Sequence, residues 1–309
     1  MKPFLTLGAL LLTATATAAS AQQAAPSATQ VSLGGGNCAD SVYNCATTPN
    51  PLPRASTVWL EEMTWMDVRD ALAAGMTTVI IPTGGMEPNG PWLVLGKHNY
   101  VLDINCEAIA RKLGNALCAP VVKLVPEGTI EPASGHMRSP GTISLRQETY
   151  QAMLTDVAHS LKMHGFKHII FIGDSGGNQN GQRAVAEALT ARWQGHPVVA
   201  HIDEYYNTPP GTPNVLRGLG VVREGMPDDG LHDSPGITLN MLLSDPSSIR
   251  WFERVQAGKA TINGVDLSNL SRSLEWARLI VDARATRTVD VINRSIAHRG
   301  TLPARTSQR

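Results

Sequence analysis

The stretch Lys167-His-Ile-Ile-Phe-Ile-Gly-Asp-Ser-Gly-Gly-Asn178 joins a continuous apolar run to a glycine-rich bend. Four of its first six residues are apolar and three of these are β-branched, which is typical of a strand buried on both faces of a sheet. A helix is predicted directly after the bend, over residues 179–193. The stretch therefore predicts a strand, a tight loop and a helix, which together form the repeating unit of a parallel α/β sheet.

The same alternation continues on both sides of this stretch. Further strands are predicted at Thr77–Pro82, Pro120–Val125 and Pro197–Ile202. Further helices are predicted at residues 59–72, 100–113, 145–164 and 271–291. Buried strands that alternate with helices of this length indicate parallel strands with right-handed crossovers. We therefore expect a three-layer α/β/α sandwich around a mostly parallel sheet.

The first predicted helix has a recognisable start and stop. Thr64 is placed to cap it, and Gly75 to end it. The helical spacing predicts that Trp65, Val68 and Leu72 share the face that packs on the protein. Gly114 is the corresponding stop signal for the second helix.

The composition limits the classes of partner. The chain has 309 residues, of which 42% are hydrophobic, so it can bury a substantial core. Lysine plus arginine equals aspartate plus glutamate at 26 each, so no net field favours nucleic acid or an anionic membrane. We expect one α/β domain over residues 56–309, which ends in a helical extension.

The N-terminal region has the pattern of an export signal. Lys2 precedes an apolar segment, and Ala19-Ser-Ala21 fits the small-x-small rule of signal peptidase, so residues 1–21 are predicted to be removed before Gln22. The apolar segment is too short to span a bilayer of ~30 Å. We expect a periplasmic or secreted protein without a membrane contact after cleavage. Residues 22–55 are expected to form a flexible leader.

Export permits disulfide bonds between the four cysteines. Three pairings are available, and the short spacings favour Cys38 with Cys45 and Cys106 with Cys118. The C-x-x-C pairs that a zinc knuckle would prefer are absent from the sequence. The cysteines are therefore interpreted as structural.

Two loops follow predicted strands and carry chemically useful side chains. The first, Gly84–His98, contains Glu87 and His98, and the second is Gly173-Asp-Ser-Gly-Gly177. Ligands collect at the carboxyl ends of parallel strands, where both loops are expected. The second loop also fits the G-x-S-x-G nucleophile elbow of serine hydrolases, and a glycine-rich turn without catalytic function is the simpler interpretation.

Four ordered motifs resemble the creatininase (creatinine amidohydrolase) family. The first residues of the four motifs are Leu60-Glu-Glu-Met-Thr-Trp-Met-Asp-Val68, Val79-Ile-Ile-Pro-Thr-Gly-Gly-Met-Glu87, Ser139-Pro-Gly-Thr-Ile-Ser-Leu145 and Gly165-Phe-Lys-His-Ile-Ile-Phe-Ile-Gly173. The resemblance extends over roughly residues 58–245. It implies an α/β core, metal-dependent hydrolysis of small cyclic or linear amides, and a homo-oligomer.

The match to the family's ligand pattern is partial. Glu87 is retained, whereas Asn89 stands at the family's first histidine and His98 at its bridging aspartate. In the second loop, Ser175 stands at a ligand histidine, with Asp174 directly before it. In a third motif, His232 is retained, whereas Ile237 replaces a glutamate.

These substitutions predict a rearranged metal site. Glu87, His98 and Asp174 offer one nitrogen and two oxygens to a single ion, for which Zn²⁺ is expected and Mn²⁺ or Fe²⁺ are alternatives. The ion would activate a water molecule for attack on an amide carbonyl, and His232 would protonate the leaving nitrogen. Glu87 and His232 are thus the predicted catalytic residues. Substrate contacts are predicted for Asn89, His136 and Ser175, and His136 is also considered as a further ligand.

Two other functions stay open at this point. The first is a serine hydrolase that uses Ser175 with His232 and an acid such as Asp203, although no His-Gly-Gly-Gly oxyanion motif precedes it. The second is a non-catalytic ligand-binding descendant of the family, which the changed ligand positions favour.

Overall fold

The central sheet contains four parallel strands. The structure, a computed structural model, describes residues 49–208 and 214–300. The strands are β1 (Thr78–Thr83), β2 (Ala116–Cys118), β3 (His168–Gly173) and β4 (Val198–His201). Their order in the sheet is β2-β1-β3-β4, and all three pairings are parallel. The predicted α/β sheet is confirmed.

Helices cover both faces of this sheet. The longer ones are α1 (Trp65–Ala73), α2 (Lys97–Leu113), α3 (Gln147–Met163), α4 (Gln179–Trp193), α7 (Pro235–Ser244) and α9 (Leu270–Ala297). Three shorter helices are α5 (Asp203–Tyr206), α6 (Val215–Gly218) and α8 (Trp251–Gln256), and a hairpin is formed by β5 (Thr261–Ile262) and β6 (Val265–Asp266). Helices α3 and α4 pack together, whereas α2, α7 and α9 form a second group.

Two predictions about the N-terminal region lie outside the described residues. They are the signal peptide at 1–21 and the Cys38–Cys45 disulfide, and most of the leader at 22–55 is also outside. The described residues from Arg54 onward form one compact unit. No helix among the described residues is both long enough and apolar enough to cross a membrane.

Helix α1 begins at the predicted cap, and its buried face differs in part from the predicted one. Thr64 and Asp67 form a reciprocal capping box. Trp65 is 44% exposed, and the buried apolar residues are Met66 and Ala71 instead. Of the predicted face, Leu72 packs against the core. The prediction was wrong for Trp65, which occupies the first turn, where its ring lies 5.5 Å from the guanidinium of Arg69 at the surface.

The strand expected at Pro120–Val125 lies earlier in the chain, at β2. The predicted segment makes only single bridges, from Val122 to Thr83 and from Val125 to Ser144. Pro120 has no N–H to donate to a ladder, which ends regular pairing there. The segment nevertheless runs along the end of β1 and leads into the loop that contains Glu127.

A disulfide joins α2 to β2, as the spacing of the cysteines predicted. Cys106 and Cys118 are bonded, and both are fully buried. The bond therefore fixes the helix that begins with Lys97 and His98 against the edge strand of the sheet.

The loops after β1 and β3 are neighbours at one edge of the sheet. Thr83 pairs with Gly173 at the ends of these strands, and Asp174 N donates to Thr83 O over 3.1 Å. The side-chain amide of the buried Asn178 donates to the carbonyls of Thr83 and Gly84 at 2.8 and 2.9 Å. These bonds hold the two loops together, in agreement with the prediction that both loops lie at the carboxyl ends of the strands.

Candidate metal centre

The first loop presents the buried carboxylate of Glu87 at the end of β1. Glu87 is 2% exposed, and its backbone N donates to Leu95 O over 3.1 Å. The amide of Asn89 donates to Glu87 O and Val94 O at 3.0 and 3.2 Å. Asn89 therefore braces the loop backbone through its amide nitrogen, while its predicted contact with substrate stays a prediction.

Four basic side chains approach the Glu87 carboxylate. Its Oε1 lies 2.6 Å from Lys97 Nζ and 3.2 Å from each of His98 Nε2 and His232 Nδ1. Its Oε2 lies 3.0 Å from His136 Nδ1. Glu87 is thus the common contact of residues from three separate segments.

The surroundings of Glu87 favour its charged form. Burial raises its pKa, but the hydrogen bonds and charges of His98 and Lys97 outweigh burial. The pKa of Glu87 consequently lies well below its ordinary value. A permanently ionised carboxylate in a buried pocket is the state that can bind a cation.

His98 lies between the two loops in the first turn of α2. Its Nδ1 is 2.8 Å from Asp174 Oδ2, and the other Asp174 oxygen is 3.5 Å from Arg284 Nη1. The Arg284 guanidinium also lies over the ring of Tyr205 at 4.7 Å. Asp174 therefore fixes the orientation of the imidazole, so that Nε2 faces Glu87.

The Nε2 atom of His98 is buried and has no hydrogen-bond partner among the described residues. Burial lowers the pKa of His98, but its hydrogen bond to Asp174 and its charge contact with Glu87, 3.2 Å from Nε2, raise it to about 9. A buried ring nitrogen that faces a carboxylate without a hydrogen bond has the position of a metal ligand.

His136 extends from a short helical turn, Gly135–Arg138, over the opposite side of Glu87. Its Nδ1 is also 3.0 Å from Glu127 Oε2, and Ser175 Oγ donates to the same oxygen over 3.5 Å. Burial raises the pKa of Glu127, and the negative charge of Glu87 raises it further. The hydrogen bond from His136 lowers it only in part, so the pKa of Glu127 lies above its ordinary value. Glu127 is therefore a second buried carboxylate next to Glu87.

His232 approaches from the loop before α7. Its backbone has a φ of 58°, a left-handed conformation that is uncommon for a residue other than glycine. Leu231 O, one residue earlier, accepts from Gly90 N at 2.8 Å, which attaches this loop to the first loop. The side chain of His232 is half exposed, at 50%, and its ring lies 5.7 Å from that of His136.

Three of these side chains can supply ligands to one ion. Glu87, His136 and His232 each offer a ligand atom, and these atoms all lie within 4.8 Å of one another. One carboxylate oxygen and two imidazole nitrogens are a donor set used by catalytic zinc sites. Together with the unpartnered Nε2 of His98, this donor set fits a divalent cation.

The predicted ligand set overlaps with this group in one residue. The structure places Glu87, His98 and Asp174 in a row, with the His98 imidazole between the two carboxylates. Asp174 contacts the far nitrogen of His98, which is the position of a residue that orients a ligand. Assignment of Asp174 and His98 as ligands stays a prediction.

The contacts of Ser175 do not form a catalytic triad. Among the described residues, its hydroxyl has Glu127 as its hydrogen-bond partner and no histidine. Asp203, the acid considered for this role, pairs with Arg183 at 2.8 Å on the surface. Nothing in this geometry supports a serine hydrolase.

Three important residues of the centre were missed by the sequence predictions. Lys97 directly precedes a predicted ligand, and Glu127 lies in a Pro-Glu-Gly turn after an apolar segment. The place of each residue in the sequence was therefore the one signal that could have identified it. Arg284 lies 110 positions after Asp174 on a helix that was interpreted as packing, and no local pattern marks it.

The centre lies in the wall of a cavity of about 1510 Å³. Apolar side chains, among them Ile130, Leu145 and Ile237, also line this cavity. The cavity has room for an organic molecule beside the candidate metal ligands.

Comparisons with known proteins agree with this fold. The family model described as "Creatininase: Creatinine amidohydrolase" matches residues 61–277. A creatinine amidohydrolase of Pseudomonas putida is 24% identical over 118 residues, which are 38% of this chain and 45% of that relative. The chain thus matches less than half the length of that relative.

Solved structures share the fold over most of the chain. A crystal structure of creatinine amidohydrolase (creatininase) aligns with a TM-score of 0.58 at 21% identity, over 78% of this chain and 99% of the other. A mutant creatininase described as Zn-Zn type aligns with a TM-score of 0.57 at 20% identity and the same coverage. At these identities the structural likeness establishes the fold.

Proposed function

Because the chain belongs to the creatininase family, we propose that it is a metal-dependent amidohydrolase that cleaves the C–N bond of a small cyclic or linear amide. The observation that carries this proposal is the convergence of Glu87, His136 and His232, whose ligand atoms lie within 4.8 Å of one another. The ionised carboxylate and the apolar cavity wall are consistent with it.

We propose Glu87, His136 and His232 as the residues that hold one divalent ion. Zn²⁺ is our preferred ion, and Mn²⁺ and Fe²⁺ are the alternatives that this mixed donor set accepts. When bound, such an ion lowers the pKa of a coordinated water to ~7 and polarises a carbonyl. The Asp174 carboxylate fixes His98 against Glu87, and the buried Glu127 fixes His136.

The predicted arrangement, with Glu87, His98 and Asp174 as ligands, is the competing form of the same proposal. It leaves His232 free to protonate the leaving nitrogen, whereas the first arrangement uses His232 as a ligand. Replacement of His232 by glutamine separates the two. Loss of metal from the purified variant supports the first, and a variant with full metal content and a lowered turnover rate supports the second.

The test of the function is chelator-sensitive amide hydrolysis. Release of ammonia or amine is followed over a panel of lactams, creatinine and amino-acid amides, before chelation, after chelation and after addition of Zn²⁺ or Mn²⁺. We expect activity to disappear with the metal, to return with it, and to be absent in Glu87→Gln. The matched control is Glu107→Gln, which changes an exposed glutamate paired with Arg111. Hydrolysis that persists after complete metal removal would contradict the proposal.

We further propose that the protein is exported and that it forms a homo-oligomer. The Cys106–Cys118 disulfide supports an oxidising compartment. N-terminal sequencing of protein recovered from the periplasm or medium is expected to begin at Gln22, and protein retained in the cytosol with Met1 would contradict export. A mass by light scattering equal to a single chain would contradict the oligomer.

A further inference from the structure

The ammonium group of Lys97 is the fixed charge nearest to the candidate metal ligands. Its Nζ lies 2.6 Å from Glu87 Oε1, and the two side chains are 5% and 3% exposed. The same oxygen faces His98 Nε2 and His232 Nδ1, both at 3.2 Å. Lys97 therefore shares one carboxylate oxygen with two of the imidazoles that surround the centre.

The position of Lys97 is fixed by the backbone as well as by the ion pair. It is the first residue of α2, directly before His98, and its helix is joined to the sheet through Cys106 and Cys118. Lysine carries a compact point charge on its side chain, in contrast to the planar guanidinium of arginine. It can thus stand beside a carboxylate in the way that a small cation does.

The balance of charge in the centre limits how many divalent ions it can hold. Three buried carboxylates, Glu87, Glu127 and Asp174, are faced by two fixed cations, Lys97 and Arg284. Lys97 and Arg284 therefore already compensate much of the negative charge of these carboxylates. What is left can be compensated by one divalent ion. A second divalent ion would leave an uncompensated positive charge in a buried site, which is costly.

We propose that the Lys97 ammonium takes the place of a second divalent cation beside Glu87 and so limits the centre to one metal ion per chain. This inference rests on the proposed function, because it concerns the number of ions in the same centre. Lys97 thus sets the number of metal ions in the centre, which is a role separate from a contribution to folding.

The test is a zinc titration of the full-length chain after removal of all metal. Wild type is compared with Lys97→Met, which keeps most of the length of the side chain and removes its charge. Lys112→Met is the matched control, because Lys112 lies on the same helix and pairs at the surface with Asp282 over 2.8 Å. Bound zinc is measured by equilibrium dialysis and mass spectrometry.

We expect wild type and Lys112→Met to bind one Zn²⁺ per chain. Lys97→Met is expected to bind its first ion with a Kd lower by roughly tenfold or more, because a like charge is removed and Glu87 Oε1 is released. Two ions in wild type would overturn the inference, as would a Lys97→Met protein with the same Kd and stoichiometry as the control.

Thermal unfolding separates this role from a structural one. Added Zn²⁺ is expected to raise the Tm of Lys97→Met by more than that of wild type, since the ion replaces the missing charge. Equal increases would overturn the inference. If Lys97→Met does not fold without metal, Lys97→Gln replaces it in both experiments, because glutamine removes the charge and retains a hydrogen-bond donor.

The outcomes also distinguish this inference from the proposed function. One ion in wild type and an unchanged Lys97→Met remove the inference alone. No zinc in either protein removes both the inference and the metal-dependent hydrolase.

Discussion

The ion pair between Glu87 and Lys97 should be strongly coupled in the metal-free protein. The two side chains are almost fully buried and their charged atoms are 2.6 Å apart. Among the described residues, Glu87 is the ion-pair partner of Lys97, whereas Glu87 has further contacts with His98, His136 and His232. Replacement of Glu87 and replacement of Lys97 should therefore lower the free energy of unfolding by different amounts.

Glu87→Gln leaves a buried ammonium without a counter-charge, which costs about 3–5 kcal/mol in the free energy of unfolding. Lys97→Met leaves Glu87 with its imidazole partners, so we expect a smaller loss of about 1–3 kcal/mol. The double variant contains neither charge. Its loss should fall short of the sum of the single losses by about 2 kcal/mol.

The measurement is a double-mutant cycle by urea denaturation, followed by tryptophan fluorescence in the presence of a chelator. The chelator is necessary because bound metal would add its own binding free energy to the folded state. Equal m-values in the four proteins would show that the free energies are comparable. Additive losses, with a coupling below about 0.5 kcal/mol, would refute the buried pair. A larger loss for Lys97→Met than for Glu87→Gln would refute the asymmetry.

Three further perturbations test other parts of the structure. Gly85 has a φ of 153°, and a Cβ added there would lie 2.0 Å from Glu127 Oε1. We therefore expect Gly85→Ala to lower the free energy of unfolding by about 1–3 kcal/mol, measured by urea denaturation. Replacement of both Cys106 and Cys118 by alanine opens a loop with a sequence separation of 12; we expect a loss of about 2–4 kcal/mol, also by urea denaturation. Burial lowers the pKa of His201 from 6.5 to about 4, so the unfolded state binds more protons in this range and stability falls as the pH decreases through it. His201→Gln should remove about 2 kcal/mol of the difference in unfolding free energy between about pH 7 and about pH 4.5.

Each of these predictions has a control or a contradicting result. Gly218→Ala is the control for Gly85→Ala, because a Cβ at Gly218 meets no atom within 4 Å, and it should change the free energy of unfolding by less than about 0.5 kcal/mol. A change in Gly85→Ala as small as that in Gly218→Ala would contradict the steric argument. Reduction of wild type with a thiol should reproduce the effect of the double cysteine variant, and no loss in either would contradict the stabilising role of the disulfide. A pH dependence of His201→Gln that is parallel to wild type would contradict the assignment to His201.

The layered core could be predicted from the sequence because its signals are local. The helix at Gln179–Trp193 has the predicted bounds, and the apolar runs of β1 and β3 were found within one residue of their ends. Continuous β-branched segments between helices permit few other arrangements. The cap at Thr64 was also correct, because the capping box is a pattern of four residues.

The failures arose where tertiary contacts decide the local outcome. The apolar segment after Pro120 has the composition of a strand, but the ladder ends at Cys118, and the segment makes only single bridges, to the end of β1 and to Ser144. Trp65 has a large apolar ring, yet its contact with Arg69 keeps it at the surface. In both cases composition indicated burial or pairing that the neighbouring chain does not provide.

The candidate site was predictable in its position and only partly in its contacts. Glu87 and His98 were selected from one loop, and β1 and β3 bring that loop next to Asp174. His136 and His232 were recognised, but their approach to the same carboxylate depends on loops that have no periodic pattern. The sequence could not place Glu127 or Arg284, because their partners are distant along the chain.

The most direct test of the central claim is anomalous diffraction at the zinc edge from crystals of the reconstituted protein. The account predicts one peak per chain in the cavity, about 2.0–2.2 Å from an oxygen of Glu87 and from ring nitrogens of His136 and His232. A peak bound by His98 and Asp174 would replace this ligand set with the one predicted from the sequence. A fully soaked crystal with no peak beside Glu87 would contradict the claim that this carboxylate binds a metal ion.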